Sequence, residues 1–253
     1  MHPPFTTIAR LALPAVLTAT VLGCGSSKPT APKDDSLRLV AVHALALSEP
    51  SDLAIDETGT TLWTVTNDPD SVYQLDVSGN RVKTLAYAGQ DLEGIAYDRS
   101  DHTLWVAEEN LRSVIHLDLD GNVLGTYPLG LTGQQNSGLE GICLNDAGGM
   151  FVLNEKLPGL FVTVNPDKSI ARADTLSFAQ DYSGIAYDSH SGSYWIVSDQ
   201  SERLYLWNGS AGVIKSYQLP IAKAEGVTID AATNRIYIVS DLENKLYVWQ
   251  YAP

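Results

Sequence analysis

The chain has 253 residues, 44% of them hydrophobic, enough for one large domain or two small ones. Its 16 Lys and Arg stand against 30 Asp and Glu, a formal net charge of −14, which excludes a basic face for nucleic acid or anionic lipid. Two cysteines and five scattered histidines exclude a disulfide scaffold and a cysteine-based zinc site.

Residues 1–23 read as an export signal. Arg10 precedes an apolar run from Leu11 to Leu22, about half the length of a membrane-spanning helix. The run ends Val21-Leu22-Gly23-Cys24, which resembles a bacterial lipobox, with Cys24 as the lipidated residue. Residues 24–36 are polar and Pro-containing without periodicity, the composition of a flexible tether. The acyl chains on Cys24 would hold the rest of the chain at a membrane surface. Gly25 stands where Asp would signal retention at an inner membrane, so the expected address is the outer membrane, facing the periplasm.

The strand-like segment 37–47 comes next, and then a phrase that occurs five times. It reads Ser51-Asp52-Leu53-Ala54, Glu93-Gly94-Ile95-Ala96, Glu140-Gly141-Ile142-Cys143, Ser183-Gly184-Ile185-Ala186 and Glu225-Gly226-Val227-Thr228. From Leu53 through Ile95, Ile142 and Ile185 to Val227 the spacings are 42, 47, 43 and 42. Each phrase is followed by a turn, a second apolar run such as Leu104-Trp105-Val106-Ala107, and a third such as Val114-Ile115-His116-Leu117. In the first four repeats a weaker fourth run follows a turn such as Asp120-Gly121-Asn122. The runs are short, β-branched and aromatic, and bounded by Gly, Asn and Asp. Four strands per repeat of this length is a propeller blade. The last repeat stops too soon for a fourth strand, so segment 37–47 is expected to supply it and close the ring. The prediction is an all-β, five-bladed propeller of four-stranded blades over residues 37–253.

Two columns of the repeat carry the chemistry. The residue before the Gly position of the first strand is Ser51, Glu93, Glu140, Ser183 and Glu225. The residue after the second strand is Asn67, Glu109, Glu155, Asp199 and Asp241. The columns are 15 or 16 residues apart on antiparallel strands, so they should meet at one mouth of the central channel, with Glu108 and Asp68 beside them. Two carboxylates about 6 Å apart repel by roughly 3 kcal/mol at an effective dielectric near 20. Carboxylates around a narrow channel must splay into water, share protons or bind a cation. Calcium accepts many oxygens in irregular geometry, and the lack of His and Cys disfavours zinc and copper. The glycine after each glutamate suits a backbone drawn tightly around a ligand.

The Glu-Gly-Ile-Ala-Tyr-Asp phrase at 93–98, its repeats, and the lipobox-and-tether start resemble the SdiA-regulated family of bacterial envelope proteins. The resemblance spans residues 37–253 and implies a five-bladed propeller, distantly like the NHL-repeat proteins, with calcium bound. A weaker resemblance joins Glu93, Glu140 and Glu225 to the metal-binding positions of gluconolactonase-type propellers, although blade number and ligand types differ.

The five tryptophans fall inside strands and read as blade packing, Tyr97 and Tyr187 as core, and His102 and His190 as solvated turn residues. Cys143 reads as a buried core residue. There is no GxSxG elbow, P-loop or GxGxxG fingerprint. The expectation is a monomeric, calcium-binding, non-catalytic binding or scaffolding module on a membrane anchor. The competing expectation is a calcium-dependent hydrolase of lactones or phosphate esters, with Asp199 or Asp241 as general base.

Overall fold

Short apolar runs separated by Asp and Asn turns favour hairpins, and the chain folds accordingly. The computed structural model describes residues 37–252, together with Met1 and Pro4. The remainder of the expected export signal, Cys24 and the tether lie outside the described residues. The described residues form strands and turns only, and none belongs to a helix long and apolar enough to cross a membrane.

Five four-stranded antiparallel sheets succeed one another along the chain. Strand β1 (Arg38–Ala44) comes first. The first blade is β2 (Pro50–Ile55), β3 (Thr61–Asn67), β4 (Asp70–Asp76) and β5 (Arg81–Thr84). The second is β6 (Leu92–Asp98), β7 (Thr103–Glu108), β8 (Ser113–Leu117) and β9 (Val123–Pro128). The third is β10 (Leu139–Leu144), β11 (Met150–Asn154), β12 (Leu160–Val164) and β13 (Ile170–Thr175). The fourth is β14 (Gly184–Asp188), β15 (Ser193–Ser198), β16 (Arg203–Asn208) and β17 (Gly212–Gln218). The fifth is β18 (Ala224–Asp230), β19 (Arg235–Ser240) and β20 (Lys245–Gln250), completed by β1 in the order β1-β20-β19-β18. The closure is antiparallel, with Val42 opposite Tyr247 and His43 opposite Leu246. The strand expected over 37–47 ends at Ala44; Leu45 and Leu47 turn inward and join the core.

Inner strands are packed on both faces by neighbouring blades, so β2 is buried along its whole length, whereas β1, on the outside, is largely exposed. The core lies between blades: Trp195 and Leu204 of the fourth blade pack with Val227 and Ile238 of the fifth. Each large aliphatic side chain taken from water contributes about 1.5–3 kcal/mol. All five tryptophans, Trp63, Trp105, Trp195, Trp207 and Trp249, are buried, as expected for blade packing, and so is Cys143. The outer hairpins are fixed by side-chain turns. Asp76 accepts the N–H groups of Ser78 and Asn80 at 2.8 and 2.9 Å, and Asp118 does the same for Asp120 and Asn122 at 2.9 and 2.8 Å.

At the axis the inner strands touch backbone to backbone. A methyl group added to Gly94 would lie 2.3 Å from the Glu140 carbonyl oxygen, and one on Gly184 would lie 2.4 Å from that of Glu225. One on Gly141 would lie 2.6 Å from the Ile185 nitrogen. The glycines of the repeated phrase are therefore required by blade-to-blade packing. The expected tightness of the backbone at these glycines has a packing reason, the approach of one inner strand to the next.

Candidate metal centre

The hairpin between the first and second strands of each blade sets the two columns side by side. Leu92 pairs with Glu108 and Leu139 with Asn154, so Glu93 lies near Glu109 and Glu140 near Glu155. All ten column positions line one cavity of ≈ 310 Å³ where the inner strands begin. That lining holds nine carboxylates and two lysines, a formal charge of −7 before any proton or ion is bound.

The seryl positions of the first column serve the next blade's glutamate. The Ser51 hydroxyl favours the charged form of Glu93, and the Ser183 hydroxyl that of Glu225. Asn67 adds its side-chain N–H to Glu93 Oε1 at 2.8 Å, leaving its own Oδ1 buried without a partner. Glu140 is different. The residue in the donor's place is Glu93, another carboxylate, and Glu140 makes no hydrogen bond or ion pair among the described residues, although only 8% of it is exposed. Its oxygens come within 4.8 Å of those of Glu109 and Glu155, and a second triad, Asp91, Glu93 and Glu109, shares Glu109.

This crowding sets the electrostatics. Burial pushes Glu93 up to about 8, Glu225 to about 7 and Glu109 to about 7, against the Asn67 hydrogen bond on Glu93, the Lys223 charge on Glu225 and the Gly138 N–H on Glu109. Burial, and then the charges of Glu93, Glu225, Glu155 and Glu109, hold Glu140 well above the usual carboxylate range. Burial also raises Glu155 and Asp199. The lysines are unevenly placed. Lys156 pairs with Glu155, and Lys223 pairs with Asp241 and approaches Glu225 at 3.8 Å. Burial alone would lower both lysines; their carboxylate partners outweigh it and keep them charged. No lysine pairs with Asp91, Glu93, Glu109 or Glu140 among the described residues.

Two expected neighbours fall outside the lining. Glu108 turns away to accept Tyr87 O–H at 2.8 Å and the Gln90 N–H at 3.0 Å. Asp68 lies beyond the cavity, its carbonyl accepting the Ser48 hydroxyl at 2.6 Å. Conversely, Asp91, Asp181 and Lys223 line it from a third column, two residues before Glu93, Ser183 and Glu225. Asp181 is already satisfied by the Ser198 hydroxyl and the Gln200 N–H. Asn136 reaches the cavity from the loop between β9 and β10, where the 47-residue repeat carries its extra length. That longer spacing was the available signal.

Asp52 is a further residue that the repeat pattern alone does not single out. It stands in the first blade where the others have glycine, is wholly buried, and accepts the Ile95 N–H at 3.0 Å on Oδ2. Burial drives its pKa well up, opposed by the amides of Ile95, Leu53, Val227 and Ile142. Beyond this level a second cavity of ≈ 180 Å³ opens at the other end of the inner strands, lined by Leu53, Cys143, Tyr97 and Tyr187. Both tyrosines are therefore half-buried at a mouth rather than in the core proper. His102 remains in an exposed turn, its Nδ1 sharing a 2.8 Å hydrogen bond with Tyr97.

No curated protein sequence matches the chain. Its structure is similar to that of Myxococcus xanthus glutaminyl cyclase, at 14% identity and a TM-score of 0.64, over 86% of this chain and 97% of that one. It is also similar to the β-propeller domain of Cps50 (Swd1) from Myceliophteria thermophila, at 9% identity and a TM-score of 0.54, over 86% of this chain and all (100%) of that one. At these identities the likeness is one of fold. The family model described as SdiA-regulated matches residues 38–250, from the strand that closes the ring to the end of the last one. By that match across nearly all of the propeller, the chain belongs to the SdiA-regulated family.

Proposed function

We propose that this protein is a calcium-binding propeller held at the cell envelope, serving as a non-catalytic binding or scaffolding module. The observation that carries the reading is Glu140: a carboxylate 8% exposed, without a partner, beside Glu109 and Glu155. Its carboxylate faces the cavity among like charges, and a cation there would offset that repulsion. Calcium suits the site because it takes about 6 to 8 oxygens without strict geometry. Glu109, Glu140 and Glu155 would form its nearest ligands, with Glu93, Glu225, Asn67, Asp199 and Asp241 around them. No His or Cys lines the cavity, which disfavours zinc and copper. Lipidated Cys24 would tether the domain to the outer membrane, facing the periplasm, as a monomer with no nucleic-acid partner.

Calorimetric titration of calcium into the chelator-treated full chain tests this. Saturable binding that Glu140→Gln abolishes is the expected result. No heat at millimolar calcium overturns it. Radiolabelled palmitate should enter the wild type and not Cys24→Ala.

One observation favours a second reading, a calcium-dependent hydrolase. The cavity exceeds the space an ion and its waters fill, and Asp199 lines it without a hydrogen-bond or ion-pair partner among the described residues. With calcium polarising a lactone carbonyl or phosphoryl oxygen, Asp199 would take a proton from water. Asp241 is less suited, because Lys223 holds it. Turnover of lactones or phosphomonoesters that is lost with chelator and in Asp199→Asn supports this reading; no turnover across both panels removes it.

A further inference from the structure

The acidic mouth has an apolar rim. The turns that join second to third strands border it, since the residues that open three of them, Glu109, Glu155 and Asp241, line the cavity. These same three turns each carry an exposed leucine: Leu111, Leu157 and Leu242, at 51%, 63% and 66% exposure. Each leucine stands one or two residues after the carboxylate of its turn. From residue 37 on, every other exposed large apolar side chain among the described residues lies on an outer strand, β1, β5, β9 or β17. Exposed leucines scattered singly need no explanation, but three confined to the border of one cavity mark a contact surface. Inside the rim the negative charge is unevenly met. Lys156 pairs with Glu155 and Lys223 with Asp241, whereas Asp91, Glu93, Glu109 and Glu140 have no lysine among the described residues. Glu140 lines the cavity, is 8% exposed and makes no hydrogen bond among the described residues. Asn67 Oδ1, also of the lining, is buried without a donor. Glu109 belongs to both groups of three carboxylates whose oxygens lie within 4.8 Å of one another. Asn67, Glu109 and Glu140 thus set oxygens from three consecutive blades around a space without a donor of its own. An arginine brings five N–H donors in one plane, a permanent charge, and an apolar stem that lies well against leucine.

We propose that the mouth docks a protein partner through an arginine set between apolar residues, the guanidinium entering among Glu93, Glu109 and Glu140 and its apolar neighbours resting on Leu111 and Leu157. The proposal rests on the reading of this protein as a binding module, and not on calcium. Leu111 and Leu157 belong to the second and third blades, which also carry the carboxylates that have no lysine. Charge complementarity selects the partner: a lining of formal charge −7 attracts a basic segment and repels a second copy that presents the same face. A metal ion or a small amine would meet the carboxylates but leave the leucines in water. Calcium would draw on the same oxygens as the guanidinium, so the two exclude each other.

The test is calorimetric titration of the chelator-treated full chain with an acetylated, amidated heptapeptide, Gly-Leu-Ser-Arg-Ser-Leu-Gly. It is run at about 0.15 M salt, where loose attraction to the net negative charge is screened. Saturable one-to-one binding is expected. Citrulline in place of the arginine keeps its shape and removes its charge, and should lower affinity by about tenfold or more. Serine in place of both peptide leucines should lower it by about fivefold. On the protein, Leu111→Ser combined with Leu157→Ser should lower it by a similar factor, and Leu124→Ser, exposed on β9, should leave it unchanged. Saturating calcium should weaken the peptide by about tenfold or more, because the two share ligands. The proposal is overturned by no heat at about millimolar peptide. It is overturned too if the citrulline or serine peptide binds as tightly as the parent, if the doubly substituted protein binds as the wild type, or if bound calcium leaves the peptide affinity unchanged. Calcium binding without peptide binding removes the docking site and leaves the calcium reading standing. Peptide binding with the expected losses, in a protein that takes no calcium, supports the docking site and defeats the calcium reading alone.

Discussion

The side-chain amide of Asn67, at the end of β3, donates to Glu93 Oε1 across 2.8 Å, joining the first blade to the inner strand of the second. It holds one member of the acidic mouth in place while Asn67 Oδ1 stays buried without a partner. Asn67→Ala should therefore cost about 1–2 kcal/mol in urea unfolding of the chelator-treated protein. It should also push Glu93 further up, since the lost hydrogen bond favours the charged form. An unchanged urea midpoint would show that the pair contributes nothing.

The mouth sets the pH dependence of the metal-free protein. Glu93, at about 8, and Glu225 and Glu109, at about 7, all lie above the ordinary glutamate value of 4.5. Between that value and the raised ones the folded state holds more protons than the unfolded state, so stability falls as pH rises. Melting in chelator should drop steadily from pH 4.5 to about 8 and then level off, as far as these groups decide it. Calcium should flatten the decline by replacing the protons. A chelated protein that gains stability across this window would contradict the assignment.

Packing at the axis gives a sharper contrast. An added methyl on Gly184 meets the Glu225 carbonyl oxygen at 2.4 Å, whereas one on Gly209 meets nothing closer than 3.6 Å. Gly184→Ala should cost about 3 kcal/mol and Gly209→Ala less than about 0.5 kcal/mol. Equal denaturation midpoints would mean that the inner strands can spread apart.

Ring closure depends on β1. Without residues 1–44, the β20 backbone around Tyr247 and Trp249 loses its partner strand. The truncated chain should self-associate or aggregate more than the full chain in light scattering after size exclusion. A monomeric truncated chain with an unchanged melting temperature would remove β1 from the closure.

Much of this was legible in the chain itself. The period and the turn residues specified five blades, because within a blade a strand's neighbours along the chain are also its neighbours in the sheet; the missing last strand left the first strand of the chain to pair with β20. The two acidic columns could be aligned by counting, since hairpin register is set by turn position, and all ten positions line one cavity.

What counting could not supply is distance across the axis between residues of different blades. The lack of a donor for Glu140 depends on Glu93 occupying the place that Ser51 and Ser183 fill elsewhere. The turning away of Glu108 depends on the Tyr87 hydroxyl, and the pairing of Lys223 with Asp241 on where two loops end. In sequence Asp52 is only a lapse in a glycine column; the fold buries it and sets its Oδ2 3.0 Å from the Ile95 N–H of the next blade. A repeat fixes each blade by local hydrogen bonding and alternation. Only ring closure brings five strand starts together, and there burial and mutual charge decide which carboxylates are satisfied and which are left without a partner.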